Sequence, residues 1–324
     1  MTKFLVTGGA GFIGSHLCER LLENKENMVF CVDNFNDYYN PKIKEKNIEK
    51  FLSNPNFKLF REDITSKEKM EEIISSHHFD KIIHLAARAG VRASLEVPEL
   101  YYEVNVTGTR NLLDLAVKYK IKKFIFASSS SVYGINEKIP FSENDKINNQ
   151  VSPYAKTKKQ GEIICKEYHD KYGINIIALR FFTVYGPNGR PDMAPYKFID
   201  LVSRDKPIQI YLSEEEFNQG KMARDFTFIK DIIDGIILAS EKNFEFEIFN
   251  LGRGNPVKLN EFISIVERFL NKKAKKEFIN RQEGDVPLTY ADISKARKML
   301  GYEPKVSFEE GIGQTVRWFQ KKEI

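Results

Sequence analysis

Short, almost continuous apolar runs recur through the first part of the chain, and each is followed by a turn and a segment with helical periodicity. The runs lie at 3–7, 29–32, 57–60, 81–85, 123–127 and 175–179. Runs of this kind are typical of strands that are buried on both faces, as in parallel sheets. Their alternation with helices predicts an α/β fold built on a doubly wound parallel sheet, with ligands bound at the carboxyl ends of the strands.

The first apolar run leads into a glycine-rich turn, Gly8-x-x-Gly11-x-x-Gly14, with a helix predicted over 15–22. Glycines between a strand and a helix let a pyrophosphate approach the helix N-terminus, which indicates a dinucleotide site of the Rossmann type. Asp33 follows the second run, at the position where a carboxylate accepts hydrogen bonds from the adenosine ribose. The same carboxylate would repel a 2′-phosphate, so the sequence favours NAD over NADP.

A second candidate for chemistry lies at 152–158. Ser152 is a good N-cap and Pro153 suits the first helical position, so a helix is predicted to begin here. Tyr154 and Lys158 are then four residues apart on one face. A cation about 5 Å from a phenol, at an effective dielectric constant near 20, lowers the phenol pKa by roughly two units and favours its use as a base. Alternatively, Lys158 and the lysines beside it form a solvated face.

Composition limits the class of protein. The chain has 324 residues, 42% of them hydrophobic and 29% charged, enough for one large domain or two closely joined ones. The formal charge of +5 is spread along the chain, which favours a small anionic substrate over nucleic acid. Cys18, Cys31 and Cys165 lack the spacing of a metal site or a disulfide framework, so we expect no metal and a cytoplasmic location. No apolar run approaches the roughly 20 residues of a membrane helix.

Together these motifs resemble the extended short-chain dehydrogenase/reductase superfamily, and within it the nucleotide-sugar 4-epimerases. The motifs that carry the resemblance are the glycine turn, Asp33, Asp63-Ile64, His84-Leu85-Ala86-Ala87, the serines 128–131 before Val132-Tyr133-Gly134, and Tyr154-x-x-x-Lys158. The resemblance implies that NAD is held by Gly8, Gly11, Phe12, Ile13, Gly14, Asp33, Asn34, Asp63, Ile64, Leu85, Ala86, Ala87, Tyr154 and Lys158.

The resemblance also implies the catalytic roles. Tyr154 would be the base, Lys158 would bind the nicotinamide ribose and lower the tyrosine pKa, and Ser129 would bond the sugar hydroxyl. Hydride would leave C4 of the sugar for NAD and return to the opposite face of a 4-keto intermediate. A non-catalytic NAD-sensing protein of the same fold would be expected to lack Tyr154 or Lys158, and both are present.

Enzymes of the superfamily that catalyse other reactions carry different residues at the position of the serine run 128–131. Dehydratases of the superfamily carry Thr-Asp-Glu there, and UDP-glucuronate decarboxylases carry Glu at the position of Ser131. This chain has Ser129-Ser130-Ser131 without a carboxylate, which disfavours both reactions. Thr183 stands where the galactose epimerases have asparagine, and Arg190 lies in a Gly-Arg-Pro segment.

Those features resemble the UDP-glucuronate 4-epimerases, which make UDP-galacturonate. In that family the sugar carboxylate meets the residues equivalent to Ser130, Ser131, Thr183 and Arg190. An alternative for Arg190 is a loop arginine that pairs with Asp192. A 4-epimerase of UDP-glucose or UDP-N-acetylglucosamine is the alternative for the whole chain.

Further substrate contacts are implied by the resemblance. Arg224 would contact the nucleotide phosphate, Gln282 and Asp285 would hold the uridine ribose, and Phe198 would wall the uracil together with Met193. Arg92 has three open interpretations, namely a pyrophosphate contact, a closing loop or neither. The role of Arg88 is also open.

The resemblance implies two lobes and a homodimer. An NAD domain would cover 1–179 with a return segment near 225–250, and residues 180–324 would form mainly the substrate lobe. The helices at 100–119 and 154–172 would pair between subunits. Segments 34–47 and 213–222 are polar and are predicted to be mobile surface loops.

Overall fold

The computed structural model describes residues 1–279 and 286–322. The strands are β1 Thr2–Thr7, β2 Asn27–Val32, β3 Phe57–Phe60, β4 Lys81–His84, β5 Lys123–Ser129, β6 Asn175–Phe181, β7 Thr183–Tyr185, β8 Ile208–Ile210, β9 Ala223–Arg224, β10 Phe226–Phe228, β11 Phe246–Leu251, β12 Val257–Lys258, β13 Lys276–Phe278 and β14 Leu288–Thr289. The helices are α1 Phe12–Leu22, α2 Pro41–Ile48, α3 Lys67–His77, α4 Ala93–Glu96, α5 Pro98–Tyr102, α6 Gly108–Lys118, α7 Pro153–Tyr172, α8 Ala194–Ser203, α9 Glu214–Asn218, α10 Ile229–Glu241, α11 Leu259–Leu270, α12 Ser294–Leu300 and α13 Phe308–Lys322.

The central sheet has seven strands in the order β11-β6-β5-β4-β1-β2-β3, and every pairing is parallel. The strand order reverses next to β1, which creates the crevice where such sheets bind ligands. The predicted doubly wound α/β fold is therefore confirmed. All six predicted strands are present, and β11, from the segment expected to return, pairs with β6.

The core consists of two hydrophobic clusters, one on each face of this sheet. Val6, Cys31 and Ile83 face one cluster, while the adjacent residues Leu5 and Phe30 face the other. Successive side chains of a strand point to opposite faces, so a sheet covered by helices on both sides requires apolar residues at nearly every position. This explains why the strands are continuous apolar runs in the sequence.

Helix α7 lies close against β5. It begins at Pro153, with the Ser152 hydroxyl accepting a hydrogen bond from the Ala155 amide, as predicted. A Cβ added at Gly161 would lie 2.3 Å from the Phe126 ring, so only glycine allows this separation of helix and strand. The close approach places the first turn of α7 beside the carboxyl end of β5.

Two predicted loops contain helices instead. Segment 34–47 holds most of α2, where Lys44, Asn47 and Ile48 are buried, and segment 213–222 holds α9, which starts with a capping box between Ser213 and Glu216. The helix predicted over 15–22 starts earlier, at Phe12. Segment 100–119 is interrupted by a π-helical turn, Glu103–Thr107, between α5 and α6. Within the described ranges, no helix is long and apolar enough to cross a membrane.

Candidate active site

A cavity of about 360 Å³ opens at the carboxyl edge of the central sheet. It brings together residues that the sequence places far apart, from the turn after β1 to the loop after β7. Of the predicted site residues, the lining includes Gly8, Gly11, Phe12, Ile13, Gly14, Asp33, Asn34, Asp63, Ile64, Leu85, Ala86, Ala87, Ser129, Ser130, Ser131, Tyr154, Lys158, Thr183 and Arg190.

The glycine turn at one end of the cavity fits a dinucleotide. A Cβ added at Gly14 would lie 2.1 Å from the Gly8 carbonyl oxygen, so the turn requires glycine for its tight packing. Helix α1 has no capping side chain at Gly11, and its first residues Phe12 and Ile13 line the cavity. Backbone N–H groups at such a helix start can bind a pyrophosphate, as predicted for NAD.

Two carboxylates follow β2 and β3 at the same end. Asp33 is 6% exposed and accepts hydrogen bonds from the Ala10 amide at 3.1 Å and the Phe35 amide at 2.9 Å. The ammonium of Lys44 lies 3.8 Å from Asp33 Oδ1. Burial alone would raise the pKa of Asp63, but hydrogen bonds, first those from Thr65, lower it overall. Both carboxyl groups are thus held in place by fixed donors, and both line the cavity.

Lys44 lines the cavity, yet the sequence analysis missed it. Its side chain is buried, and burial lowers its pKa. Segment 34–47 is mostly polar, because helix α2 buries only one narrow face and leaves the rest in solvent. A buried lysine was therefore not expected in this segment. The Pro41 start, capped by Asn40, was the available signal for this helix.

Tyr154, Lys158 and Ser129 all line the cavity. Lys158 is 4% exposed, and its ammonium donates a hydrogen bond of 2.8 Å to the carbonyl oxygen of Ala127. Burial lowers the pKa of Lys158 to about 8, although the nearby Cys165 and Glu162 act in the opposite direction. Lys158 is therefore anchored to β5 and mostly protonated at neutral pH.

The pKa of Tyr154 depends on burial and on two neighbouring side chains. Burial raises the pKa of the phenol, whereas hydrogen bonding with Ser129 and the charge of Arg190 lower it, with a net rise. The Lys158 ammonium is bound to the Ala127 carbonyl oxygen. Its effect on the tyrosine pKa stays a prediction.

The serine run forms a tight turn at the end of β5. Ser129 Oγ accepts a hydrogen bond of 3.2 Å from the Ser131 amide and donates one of 3.2 Å to Ser131 Oγ. Ser130 and Ser131 open the turn Ser130–Tyr133, and both line the cavity. Hydroxyl groups in this arrangement can donate to an anion without repelling it.

Ser128 connects the run to a buried ion pair that the sequence analysis missed. Its hydroxyl donates to Glu162, which also receives two hydrogen bonds from Arg180, at 2.9 and 2.8 Å. Both charged side chains are at most 4% exposed. The available signal was an arginine inside the apolar strand β6, because a buried arginine requires an anionic partner.

Asn105, in the π-helical turn, is a second missed residue. Its side chain accepts a hydrogen bond from the Arg88 amide and donates to the Arg88 carbonyl and to Thr157 Oγ1, at 2.8, 3.0 and 3.0 Å. It therefore fixes the loop after β4 against helix α7. The Arg88 guanidinium lies 3.8 Å from Asp37. Nothing in the local sequence indicates the π-helical turn that orients the Asn105 side chain.

Arg190 lies at the cavity and also pairs with Asp192. It lines the cavity with Thr183, and it donates two hydrogen bonds to Asp192, from Nε at 3.0 Å and from Nη2 at 2.6 Å. Burial opposes the charge of the guanidinium, but the hydrogen bonds and charge of Asp192 outweigh it and raise the pKa of Arg190. Arg190 is therefore a permanent cation at the wall of the cavity.

Among the residues that the structure describes, Arg92, Arg224 and Phe198 are not part of this lining. Arg92 stacks over the Tyr211 ring at 4.2 Å, and Arg224 donates to the Ala223 and Pro287 carbonyls. The prediction for Phe198 is corrected: the ring is 7% exposed and stacks on Phe262 in the core, since it lies on the apolar face of α8. Gln282 and Asp285 lie outside the described residues.

Comparisons with known proteins place this site in context. The family described as GDP-mannose 4,6 dehydratase matches residues 5–315. A UDP-glucuronate 4-epimerase of Thermodesulfobacterium geofontis is 46% identical over 98% of this chain and 96% of its own.

Two solved structures have the same fold throughout. The UDP-glucuronic acid 4-epimerase of Bacillus cereus, in complex with UDP-glucuronic acid and NAD, has a TM-score of 0.92 and 37% identity, covering 99% of this chain and 100% of its own. The UDP-glucose 4-epimerase of Thermotoga maritima, with UDP-glucose, has a TM-score of 0.90 and 32% identity over 100% of both chains. The chain therefore belongs to the GDP-mannose 4,6 dehydratase family, within the extended short-chain dehydrogenase/reductases.

Proposed function

We propose that this protein is an NAD-dependent 4-epimerase that converts UDP-glucuronate to UDP-galacturonate. One observation carries the proposal: Arg190, Ser130, Ser131 and Thr183 line the same cavity as Tyr154 and the cofactor turn. A cation and several hydroxyl groups beside a candidate base suit a sugar that carries a carboxylate. The similarity to the epimerases of T. geofontis and B. cereus supports the same substrate.

NAD, when bound, takes up the C4 hydride of the sugar and gives it back. The predicted residues to hold it are those of the glycine turn, Asp33 and Asp63, and the cavity wall at Leu85. Tyr154 would take the proton of the sugar 4-hydroxyl and later return it, while Ser129 bonds that oxygen. Lys158 would hold the nicotinamide ribose, with Ala127 keeping its ammonium in place.

The carboxylate pocket also explains why the sugar would keep its CO₂. Oxidation at C4 turns the substrate into a β-keto acid, which loses CO₂ readily when the bond to the carboxylate lies across the keto plane. Fixed donors from Ser130, Ser131, Thr183 and Arg190 would hold that bond in the plane. The same serines supply no carboxylate for the acid and base steps of a dehydratase.

A 4-epimerase of UDP-glucose, or of UDP-N-acetylglucosamine, is a second candidate. The observation in its favour is the ion pair between Arg190 and Asp192, which already compensates the cation of the pocket. A neutral sugar could then bind without leaving a buried charge unpaired. The similarity to the UDP-glucose 4-epimerase of T. maritima is compatible with this alternative.

Product analysis distinguishes the candidates. The purified protein is incubated separately with UDP-glucuronate, UDP-glucose and UDP-N-acetylglucosamine, and the nucleotide sugars are resolved by NMR. UDP-galacturonate as the only product from UDP-glucuronate, without UDP-xylose, supports the proposal. Turnover of the neutral sugars alone would contradict the roles of Ser130, Ser131, Thr183 and Arg190, and release of CO₂ would indicate a decarboxylase.

The oligomeric state, the location and the division into lobes are also proposals. We infer a homodimer through α5, α6 and α7, a cytoplasmic location, and a division into an NAD lobe, 1–179 with its return segment, and a substrate lobe. The three cysteines are free and buried, which fits a reducing compartment. Arg224, Gln282 and Asp285 keep their proposed contacts to the nucleotide, and Arg92 stays a candidate substrate residue with its three open interpretations.

A further inference from the structure

Arg190 is held along one edge of its guanidinium group. Its hydrogen bonds within the described ranges both go to Asp192, from Nε to Oδ1 at 3.0 Å and from Nη2 to Oδ2 at 2.6 Å. This is the bidentate geometry in which a planar guanidinium matches a carboxylate. A guanidinium has five N–H groups, so the Nη1 edge stays available for a second carboxylate.

Asp192 is fixed in turn by Tyr38, from the loop after β2. The Tyr38 hydroxyl donates to Asp192 Oδ2 at 3.2 Å, and the Arg190 guanidinium lies 5.5 Å from the centre of the Tyr38 ring. The hydroxyl also packs against the backbone of Gly90, where an added Cβ would lie 2.3 Å from it. Tyr38 thus reaches from the cofactor side of the cavity to the loop that carries Arg190.

Asp192 and Tyr38 each have a defined protonation state at neutral pH. Burial would raise the pKa of Asp192, but the hydrogen bonds and charge of Arg190 lower it overall, so Asp192 is an anion. Burial, above all, raises the pKa of Tyr38, so its hydroxyl remains a donor. The side chains of Arg190 and Asp192 are 20% and 39% exposed, and Arg190 lines the cavity.

We propose that Asp192 and Tyr38 are positioning residues for recognition of the sugar carboxylate. They hold the Nε edge of Arg190 so that its Nη1 edge meets the carboxylate at C5 of the sugar, and they do not contact the reacting atoms. Arg190 has four rotatable bonds, so without this support its fork would sample many orientations and lose the bidentate geometry. The inference rests on the proposed function, since it assumes a substrate with this carboxylate.

The test measures binding of UDP-glucuronate and of UDP-glucose to the NAD-loaded protein by calorimetry. Asp192→Asn preserves the size of the side chain and removes its charge. We expect the dissociation constant for UDP-glucuronate to rise about tenfold, the effect of weakening a charge-assisted hydrogen bond, with that for UDP-glucose unchanged. Tyr38→Phe should shift the same ratio in the same direction by a smaller factor. Asp205→Asn, which removes an exposed partner of Lys272, is the control and should change neither constant.

Four results would overturn the inference. Tighter binding of UDP-glucuronate to Asp192→Asn would mean that Asp192 competes with the substrate for Arg190. Equal losses for both nucleotide sugars would mean a structural role only. Unchanged binding of both, with wild-type protein that epimerises UDP-glucuronate, would reject the positioning role and leave the proposed function intact. If the wild-type protein does not bind UDP-glucuronate, the proposed function fails, and the inference fails with it.

Discussion

At the scale of single residues, the site depends on what surrounds Tyr154. The sequence identifies Tyr154, Lys158 and Ser129 by their types and spacing, and the fold brings them into one cavity. Their electrostatics could not be predicted, because burial and hydrogen-bond partners come from distant segments. Burial raises the pKa of Tyr154, while Ser129 and Arg190 counteract it, and the ammonium of Lys158 is bound to Ala127.

Removing the phenol hydroxyl tests the base assignment. We expect Tyr154→Phe to lower turnover of UDP-glucuronate by at least about 10²-fold, the usual contribution of a general base, with NAD binding retained. Initial rates from NMR and the NAD content of the purified protein provide the two readouts. Turnover within a few fold of wild type would contradict the role of Tyr154.

The hydrogen bond from Ser129 predicts a pH dependence. Ser129 lowers the pKa of Tyr154, so its removal should raise that pKa. The base form of Tyr154 predominates above its pKa, and activity is lost as the pH falls through it. In Ser129→Ala the acidic limb of the kcat profile should therefore move to higher pH. A limb at the wild-type position would indicate that Ser129 does not stabilise the phenolate.

At the scale of elements, helix α7 and strands β5 and β6 form the frame of the site. The cap at Ser152 and the apolar strands were readable in the sequence, and these three elements were predicted. The sequence does not show which charged residues of α7 are buried, because the helix carries charges on several faces. The π turn near Asn105 was missed because tertiary contacts, not local pattern, define it. Helix α2 was missed because its polar composition resembles a loop, although Asn40 and Pro41 mark its start.

The buried pair of this frame predicts a large effect on stability. Glu162→Gln leaves the Arg180 charge buried without its anion, so the free energy of unfolding should fall by about 3–5 kcal/mol. Asp170→Asn, in an exposed pair with Lys166 on the same helix, is the matched control and should cost no more than about 0.5 kcal/mol. Urea unfolding measures both values. Equal effects of the two substitutions would show that burial of the Glu162 pair is unimportant.

At the scale of the whole molecule, the sheet and its two clusters account for the fold, and some apolar side chains of α5 and α7 stay exposed on the surface of those helices. Tyr102 on α5 and Ile163 on α7 are 39% and 48% exposed, on the helices proposed to pair between subunits. The sequence predicted these helices as an interface only through the family resemblance. An exposed apolar residue by itself is common on protein surfaces, so the pattern alone could not identify a partner.

A charge on this surface should prevent the proposed dimer. We expect wild-type protein to sediment as a dimer in analytical ultracentrifugation and Ile163→Glu to sediment as a monomer, because the charge would be desolvated at the interface. Leu52→Glu, at an exposed apolar residue outside these helices, is the control and should remain dimeric. A monomeric wild-type protein, or a dimeric Ile163→Glu variant, would contradict the proposed interface.

The central claim is that the sugar is epimerised at C4 by removal and return of the same hydride within this cavity. The most direct measurement uses UDP-glucuronate that carries deuterium at C4, in ordinary water, with NMR of the product. We expect UDP-galacturonate that retains the deuterium at C4. Loss of the label to solvent, or a product altered at C5 or lacking the carboxylate, would contradict it.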